Sequence, residues 1–125
     1  MTENELATII VDLCIKIHKT LGPGLLESVY ESALCYELSK LNIPFERQKE
    51  ISVIYENVVL DVGFRADVIV EDKVIVEIKS IENLLNVHHK TLITYLKLSD
   101  KRLGLLINFN VNLLKDGISR KVNKL

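Results

Sequence analysis

The sequence predicts a single α/β domain, residues 1–125, with two N-terminal helices, a strand-rich middle and a final helix leading to a buried strand. Three observations predict this order. Apolar residues recur at three- and four-residue steps before residue 42. β-Branched residues dominate residues 48–80. Helical spacing returns at 84–99, directly before an apolar run at 103–109. A chain of 125 residues suits one core and is too short for two independently folding units.

Two amphipathic helices are expected at the N-terminal end. The first covers residues 5–21 and ends at the turn-forming sequence Gly-Pro-Gly. The second covers about residues 25–41 and ends before Pro44, because the residue preceding a proline avoids helical angles. Cys14 and Cys35 fall within these helices, away from any CxxC pattern or Cys/His cluster. They are therefore expected to be buried free thiols.

Three strands are expected next, near residues 48–55, 58–70 and 74–80. Short polar segments separate them, so they are expected to form an antiparallel meander. The second strand is long, and Gly63 is the position where it is expected to bend.

The last part of the chain is expected to add a crossover to the sheet. Helical spacing over residues 84–99 precedes the continuous apolar segment 103–109. A helix that leads into such a buried strand favours a crossover connection onto the same sheet. A turn at Asp116-Gly117 then precedes a short basic edge strand at 118–122.

Two acidic residues of neighbouring strands are expected to meet. Alternate residues of a strand share a face, so Asp67 is expected on the face of Arg65 and Ile69. If residues 71–73 form a three-residue loop, Asp67 lies directly opposite Glu77. A two-residue loop would instead place the two acids on opposite faces of the sheet.

Such a pair of carboxylates predicts a cation. Side-by-side carboxylates repel each other, and Mg²⁺ prefers oxygen ligands. Lys79 shares the face of Glu77 and adds an ammonium group. The alternative is a solvated strand face with an ion pair worth well under 1 kcal/mol. Ile69 and Ile75 flank the charges, which favours a covered face over that alternative.

The spacing of these residues resembles a known nuclease signature. Asp67, nine intervening residues and then Glu77-Ile78-Lys79 resemble the core motif of the PD-(D/E)XK nuclease superfamily. The segment Gly24-Leu25-Leu26-Glu27-Ser28-Val29-Tyr30 resembles the motif that names the GxxExxY family, a branch of that superfamily. Residues 103–109, LGLLINF, are similar to the same family, so the resemblance covers most of the chain.

The resemblance implies a restriction-endonuclease-like αβββαβ core with a mixed sheet flanked by helices. It implies that Asp67, Glu77 and the carbonyl of Ile78 bind Mg²⁺, with Mn²⁺ as an alternative. Lys79 would orient the attacking water or stabilise transition-state charge. Glu27 would be the superfamily's helical acid. Outside that context, a first-turn glutamate is also favoured by the helix dipole alone.

Several other residues are predicted to support the site. His88, Thr91 and Tyr95 form one stripe on the third helix. Family members often carry a glutamine where this chain has Thr91, whose shorter side chain reaches less far toward a phosphate or water. His88 or Lys90 could compensate for that difference. Tyr30 is expected to pack rather than react. His18 is expected to be a structural histidine beside the site.

The function predicted from these residues is Mg²⁺-dependent hydrolysis of phosphodiester bonds in DNA or RNA. The alternative is a non-catalytic binding module that retains the nuclease fold. A mean hydropathy of +0.21 also suggests a homodimer. The net charge of -1 excludes a broad cationic surface, so nucleic acid must contact local patches. The polar N-terminus and the absence of an apolar run near ~20 residues favour a cytoplasmic protein without a membrane span.

Overall fold

A computed structural model describes residues 1–125 as three α-helices and five β-strands. In chain order, these elements are α1 (Glu3–Leu21), α2 (Glu27–Lys40), β1 (Phe45–Tyr55), β2 (Val58–Val70), β3 (Val74–Lys79), α3 (Asn86–Ser99), β4 (Leu103–Asn108) and β5 (Ile118–Val122). A 3-10 helix, Leu114–Gly117, replaces the simple turn predicted before β5.

The five strands form one mixed sheet in the order β1-β2-β3-β4-β5. The first three strands are antiparallel neighbours, as the short polar breaks predicted. β4 pairs with β3 in parallel, so α3 is the crossover connection that the sequence indicated. β5 is antiparallel to β4 and closes the far edge of the sheet. The observed architecture confirms the predicted α/β class and restriction-endonuclease-like fold.

The helix and strand boundaries shift where local sequence signals are weak. α1 begins earlier than predicted because Thr2 and Glu5 form a reciprocal capping box at its N-terminus. β1 begins at Phe45 instead of residue 48, and Phe45 pairs with Val70. The polar sequence Glu-Arg-Gln has little strand propensity, so pairing with β2 decides its conformation.

The sheet is covered on both faces. α1 and α2 pack on one face, where Val74, Val76 and Ile78 of β3 join the larger core. α3 packs on the other face against a smaller core that includes Ile69 and Ile75. This confirms the inference that hydrophobic residues flank the charged positions of β3 on a covered face. Two-sided burial also makes β3 a rigid support for its polar residues.

The ribbon of β1 and β2 bends next to Gly63. Its partner across the ribbon is Ser52, and just beyond that pair residues 60–62 of β2 lie opposite Val53 alone. A Cβ atom at position 63 would come within 2.1 Å of the Ile51 carbonyl oxygen. The close approach of the two backbones therefore requires glycine at this position.

Cys14 and Cys35 are free and buried, as predicted. None of the three helices is both long enough and apolar enough to cross a lipid bilayer.

Candidate active site

The candidate site lies where β2 and β3 stop pairing. Residues 71–73 form the three-residue loop that sets the register, and the last paired residues are Val68 and Val76. Asp67 and Glu77 come next on their strands. The Asp67 N–H donates to Glu77 Oε1 at 3.2 Å, and the Ile78 N–H donates to Asp67 Oδ2 at 2.8 Å. Two carboxylates thus take the place of backbone acceptors in the gap between the strands.

The alternation of β2 side chains between the two faces of the sheet is interrupted at Asp67. Ala66 and Ile69 both pack in the core beneath α3, although they are three residues apart. Strict alternation would place Ala66 with Val68, which packs against α1 and α2. Opposite Asp67 in the register, Gln48 of β1 has a φ of +53°, a conformation that few non-glycine residues adopt. The ribbon turns over here, and the Asp67 carboxylate points toward β3.

This interruption overturns one prediction about Arg65. The residue was expected on the same face as Asp67 and Ile69, beside the acids. Arg65 lies before the interruption, on the face opposite to Ala66. Its guanidinium donates to Glu50 of β1 at 2.6 Å, and both side chains are exposed. Arg65 therefore belongs to the outer part of the ribbon.

Burial dominates the electrostatics of the acid pair. Glu77 is 8% exposed, and burial together with the Asp67 charge raises its pKa from 4.5 to about 8. Burial also raises the pKa of Asp67, as does the negative charge of Glu31, while the hydrogen bond from Ile78 lowers it. With its pKa raised to about 8, Glu77 keeps its proton at neutral pH, so the metal-free site does not hold two full negative charges.

Lys79 provides a cationic group beside the pair. It is partly buried, and its ammonium group forms no salt bridge. Its charge lowers the pKa values of both Asp67 and Glu77, although burial outweighs that effect. The ammonium is thus close to the acids and available to another negative group.

Glu27 reaches the end of β3 from the first turn of α2. Its Oε2 accepts a hydrogen bond from the Ser80 N–H at 3.2 Å. The Ser80 hydroxyl donates to the Leu25 carbonyl at 2.6 Å, which ties the same two segments together. Glu27 is exposed, and Ser80, the residue it contacts, directly follows Lys79 at the end of β3. It also occupies the helix N-terminus, so the dipole contribution is present as well.

Sequence reasoning missed a second helical acid, Glu31, one turn after Glu27. Glu31 is 6% exposed and accepts hydrogen bonds from Arg47 Nε at 2.5 Å and from Gln48 Nε2 at 2.6 Å. The same Gln48 amide lies 3.4 Å from Asp67 Oδ1. A connected polar chain therefore runs from α2 through β1 to Asp67. The i, i+4 spacing of Glu27 and Glu31 was the available signal.

Tyr30 and His18 both form structural contacts near the end of α1. The Tyr30 hydroxyl donates to the Gly22 carbonyl at 2.6 Å and accepts from the Leu25 N–H at 3.1 Å. Its ring stacks on Phe109 with centroids 4.3 Å apart. His18 Nε2 lies 2.8 Å from the Val111 carbonyl oxygen. Tyr30 therefore supports the loop that precedes Glu27, whereas His18 connects α1 to the segment after β4.

α3 presents one aromatic residue to the acids. Tyr95 stacks on Phe64 with ring centroids 3.9 Å apart. Burial raises the pKa of Tyr95, and the charges of Glu77 and Asp67 raise it further.

The other α3 residues predicted to support the site have different surroundings. His88 Nδ1 accepts from the Leu85 N–H at 2.9 Å, so this ring caps the start of the helix. Thr91 is partly buried and its hydroxyl forms no hydrogen bond, while Lys90 is exposed.

Asn108 is a second residue that sequence reasoning did not single out. Its Oδ1 accepts from the backbone N–H groups of Ile81 and Asn110, at 3.1 and 3.2 Å. Its Nδ2 donates to the Ile81 carbonyl at 2.9 Å. Both polar atoms of the buried amide are hydrogen-bonded, and they anchor the segment that follows β3 and carries Ser80.

The donor atoms of the acid pair fit a hard divalent cation. Nowhere in the structure do three or more His, Cys, Asp or Glu side chains lie together so that they could hold a metal ion. Mg²⁺ needs only one or two carboxylates and retains several water ligands, whereas structural zinc sites need four protein ligands. Glu77 Oε2 accepts no hydrogen bond, and Asp67 Oδ1 has only the long contact with Gln48. Glu77 Oε2 is therefore free and Asp67 Oδ1 is held only by that long hydrogen bond, and the Ile78 carbonyl lies between the two strand positions Glu77 and Lys79.

The chain is similar to known proteins at the level of a superfamily. No curated protein matches the sequence. Among solved structures, the crystal structure of SSO0001 is similar, with 26% sequence identity and a TM-score of 0.49. The alignment covers 75% of this chain and 47% of that one, so this chain spans about half the length of that protein. A family model described as the PD-(D/E)XK nuclease superfamily matches residues 4–121. Since that match covers nearly all of the sequence, the chain belongs to the PD-(D/E)XK nuclease superfamily.

Proposed function

We propose that this protein is a divalent-metal-dependent nuclease that hydrolyses phosphodiester bonds in DNA or RNA. The observation that carries the proposal is the meeting of Asp67 and Glu77 where two strands separate, with the free ammonium of Lys79 beside them. Buried acids this close are costly unless a cation offsets their repulsion. Mg²⁺ is the cation we propose, with Mn²⁺ as an alternative, because the atoms of the acid pair that could bind a metal are all oxygens.

The roles of the residues follow from their positions. Asp67 and Glu77 would hold the metal through Oδ1 and Oε2, together with the Ile78 carbonyl. A bound metal ion supplies Lewis-acid polarisation of a phosphoryl oxygen and lowers the pKa of a bound water. Lys79 would donate hydrogen bonds to the attacking water or to a non-bridging phosphate oxygen, where negative charge grows in the transition state. Both strands are anchored by buried neighbours, so these groups need little reorganisation on binding substrate.

The two helical acids would act differently. Glu31 is already paired with Arg47 and Gln48, which supports a role in holding the Asp67 side chain. Glu27 has a single hydrogen bond, to the Ser80 backbone, and is exposed. It is therefore the better candidate to contact a hydrated metal or a substrate directly.

We also propose membership of the GxxExxY branch of the superfamily. Gly24, Glu27 and Tyr30 lie in one short segment, and Tyr30 holds the loop from which Glu27 reaches β3. This contact gives the motif a physical reason: the tyrosine sets the position of the acid one turn before it. The cytoplasmic location expected from the N-terminal sequence remains a prediction.

The decisive experiment combines metal binding with cleavage. Mg²⁺ and Mn²⁺ are titrated calorimetrically into the wild type, Glu77→Gln and Lys79→Ala, and each protein is incubated with single- and double-stranded DNA and RNA. We expect Glu77→Gln to lose both properties. Lys79→Ala should keep metal binding and lose cleavage by at least about 100-fold, the usual effect of removing one transition-state donor. Glu50→Gln, an exposed acid of the outer ribbon, is the matched control.

The other outcomes separate the alternatives. Metal binding without cleavage of any substrate would favour a non-catalytic binding module that retains the nuclease fold. The observation that favours this second function is the short Thr91 side chain, whose hydroxyl forms no hydrogen bond. No metal binding by the wild type would overturn the nuclease proposal.

A further inference from the structure

The outer part of the β1–β2 ribbon, residues 51–65, exposes an unusual amount of apolar surface. We call this segment the arm. Six of its large apolar side chains are between 40% and 71% exposed: Ile54, Tyr55, Val58, Val59, Leu60 and Val62. Isolated exposed hydrophobic residues are normal, but six on the two faces of one short hairpin mark an interaction surface.

The arm also has free backbone edges. β1 is the outermost strand of the sheet, and β2 pairs with β3 only over Val68–Val70. Beyond that point, residues 58–66 of β2 have no strand on their second edge. Proteins usually protect such edges with charges, and Lys49 and Glu50 do so near the base of the arm. The second edge of β2 carries only Asp61 and Arg65 as charged residues.

The charges of the arm exclude some partners. Glu56 and Asp61 near its tip form no salt bridge, and the tip carries no lysine or arginine. A negatively charged phosphate backbone or an anionic membrane would be repelled by these carboxylates. A partner with apolar side chains and a positive charge placed opposite Asp61 would fit.

We propose that the partner is a second copy of this chain, bound through antiparallel pairing of the two β2 edges about a two-fold axis at Gly63. With Gly63 on the axis, residues equally spaced on either side face each other across the interface. Asp61 of one copy then lies opposite Arg65 of the other, and the symmetry repeats this pair. Val62 lies opposite Phe64 in the same arrangement. The surface is thus complementary to itself in both charge and hydrophobicity.

The area available agrees with a weak dimer. Fully burying one Val, Leu or Ile removes on the order of 100 Å² of apolar surface at about 25 cal/mol per Å². Only four of the six exposed side chains, Val58, Val59, Leu60 and Val62, belong to β2. They offer about 200–250 Å² per copy, or roughly 450 Å² for two. That is below the standard interface of about 1,600 Å², so strand pairing must add to it. The dimer should accordingly form in a concentration-dependent manner.

The proposal gives a contact surface to the homodimer suggested by the hydropathy of the sequence. It is independent of the nuclease proposal, because association needs neither metal nor substrate. If the protein binds metal but stays monomeric, only the dimer proposal fails. If it dimerises but cleaves no nucleic acid, only the nuclease proposal fails.

Sedimentation velocity over a wide concentration range, without metal, tests the proposal. We expect the wild type to form dimers as its concentration rises and Val62→Asp to remain monomeric. Asp61→Arg and Arg65→Asp should each weaken dimerisation roughly five- to tenfold, because each replaces two attractive pairs by two repulsive ones. The double variant, Asp61→Arg with Arg65→Asp, should restore wild-type association. Glu50→Gln controls for loss of the pair that Arg65 forms within one copy.

Circular dichroism on every variant confirms that the fold is retained, and exposed positions on the arm make loss of folding unexpected. A wild type that stays monomeric at all concentrations would overturn the proposal. So would a dimer that is unaffected by Val62→Asp, or single charge variants whose defects add in the double variant.

Discussion

Replacing Glu77 by glutamine should make the metal-free protein more stable at neutral pH. The wild-type carboxyl group is 8% exposed, and its pKa is raised from 4.5 to about 8 by burial and by Asp67. Lys79 of the same strand lowers that value, and Tyr95 is the titratable residue that faces the pair from α3. Because the folded state binds a proton that the unfolded state releases, stability falls as the pH rises from about 4.5 to about 8.

The size of the effect follows from these pKa values. At pH 7 the unfolded carboxyl group is ionised, and the pH lies about 2.5 units above its ordinary pKa of 4.5. At 1.36 kcal/mol per unit, the burial cost of Glu77 is about 3 kcal/mol at that pH and close to zero at pH 4.5. Glutamine has no charge to bury and keeps a carbonyl oxygen for the Asp67 N–H. The variant should therefore gain up to about 3 kcal/mol at pH 7 and almost nothing at pH 4.5.

Urea unfolding in the presence of a chelator, at pH 4.5, 6 and 7, measures this difference directly. The difference in stability between the exposed Glu50→Gln variant and the wild type should not change with pH in this way, because that variant retains Glu77. Addition of Mn²⁺ should then stabilise the wild type and leave Glu77→Gln unchanged, since binding to the folded state alone raises the free energy of unfolding. If Glu77→Gln proved equally stable or less stable than wild type at pH 7, burial of a charged acid would not be the dominant energy at this site.

Two further predictions concern the support of the site. Tyr30→Phe removes the hydrogen bonds to the Gly22 carbonyl and the Leu25 N–H, so we expect it to lower the free energy of unfolding by about 1–3 kcal/mol. Chemical denaturation tests this, and an unchanged midpoint would show that the hydroxyl does not hold the loop. Gly63→Ala places a Cβ 2.1 Å from the Ile51 carbonyl oxygen, so the two strands must separate there. We expect a loss of more than about 1 kcal/mol and faster amide exchange confined to the arm, and uniform exchange rates would contradict the prediction.

The fold was predictable wherever hydrophobic spacing and polar breaks agreed. Helical periodicity identified all three α-helices, and the length of the loop at 71–73 set the register that brings Asp67 to Glu77. The start of β1 was not predictable, because its first residues are polar and become a strand only by pairing with β2. Tertiary contacts decide the conformation of such a segment, and its local sequence does not predict it.

The candidate site shows the same limit more sharply. The register that brings Asp67 opposite Glu77 follows from the length of the loop at 71–73. The position of Arg65 does not, since alternation fails where Gln48 adopts a left-handed conformation that its residue type does not favour. The role of Glu31 depends on the same turn of the ribbon, because only there does Gln48 reach both Glu31 and Asp67.

The separation of β2 from β3 explains why acids occupy this point of the sheet. Where the ladder ends, the N–H groups of Asp67 and Ile78 lose their strand acceptors, and a buried N–H without a partner is costly. The carboxylates of Glu77 and Asp67 provide those acceptors, so each acid fixes the backbone of the other strand. One oxygen of each carboxylate meets this structural need, and the other remains for a cation. The metal-free fold therefore already holds both acids in place, and a divalent ion would take the place of the proton on Glu77 without rebuilding the strands.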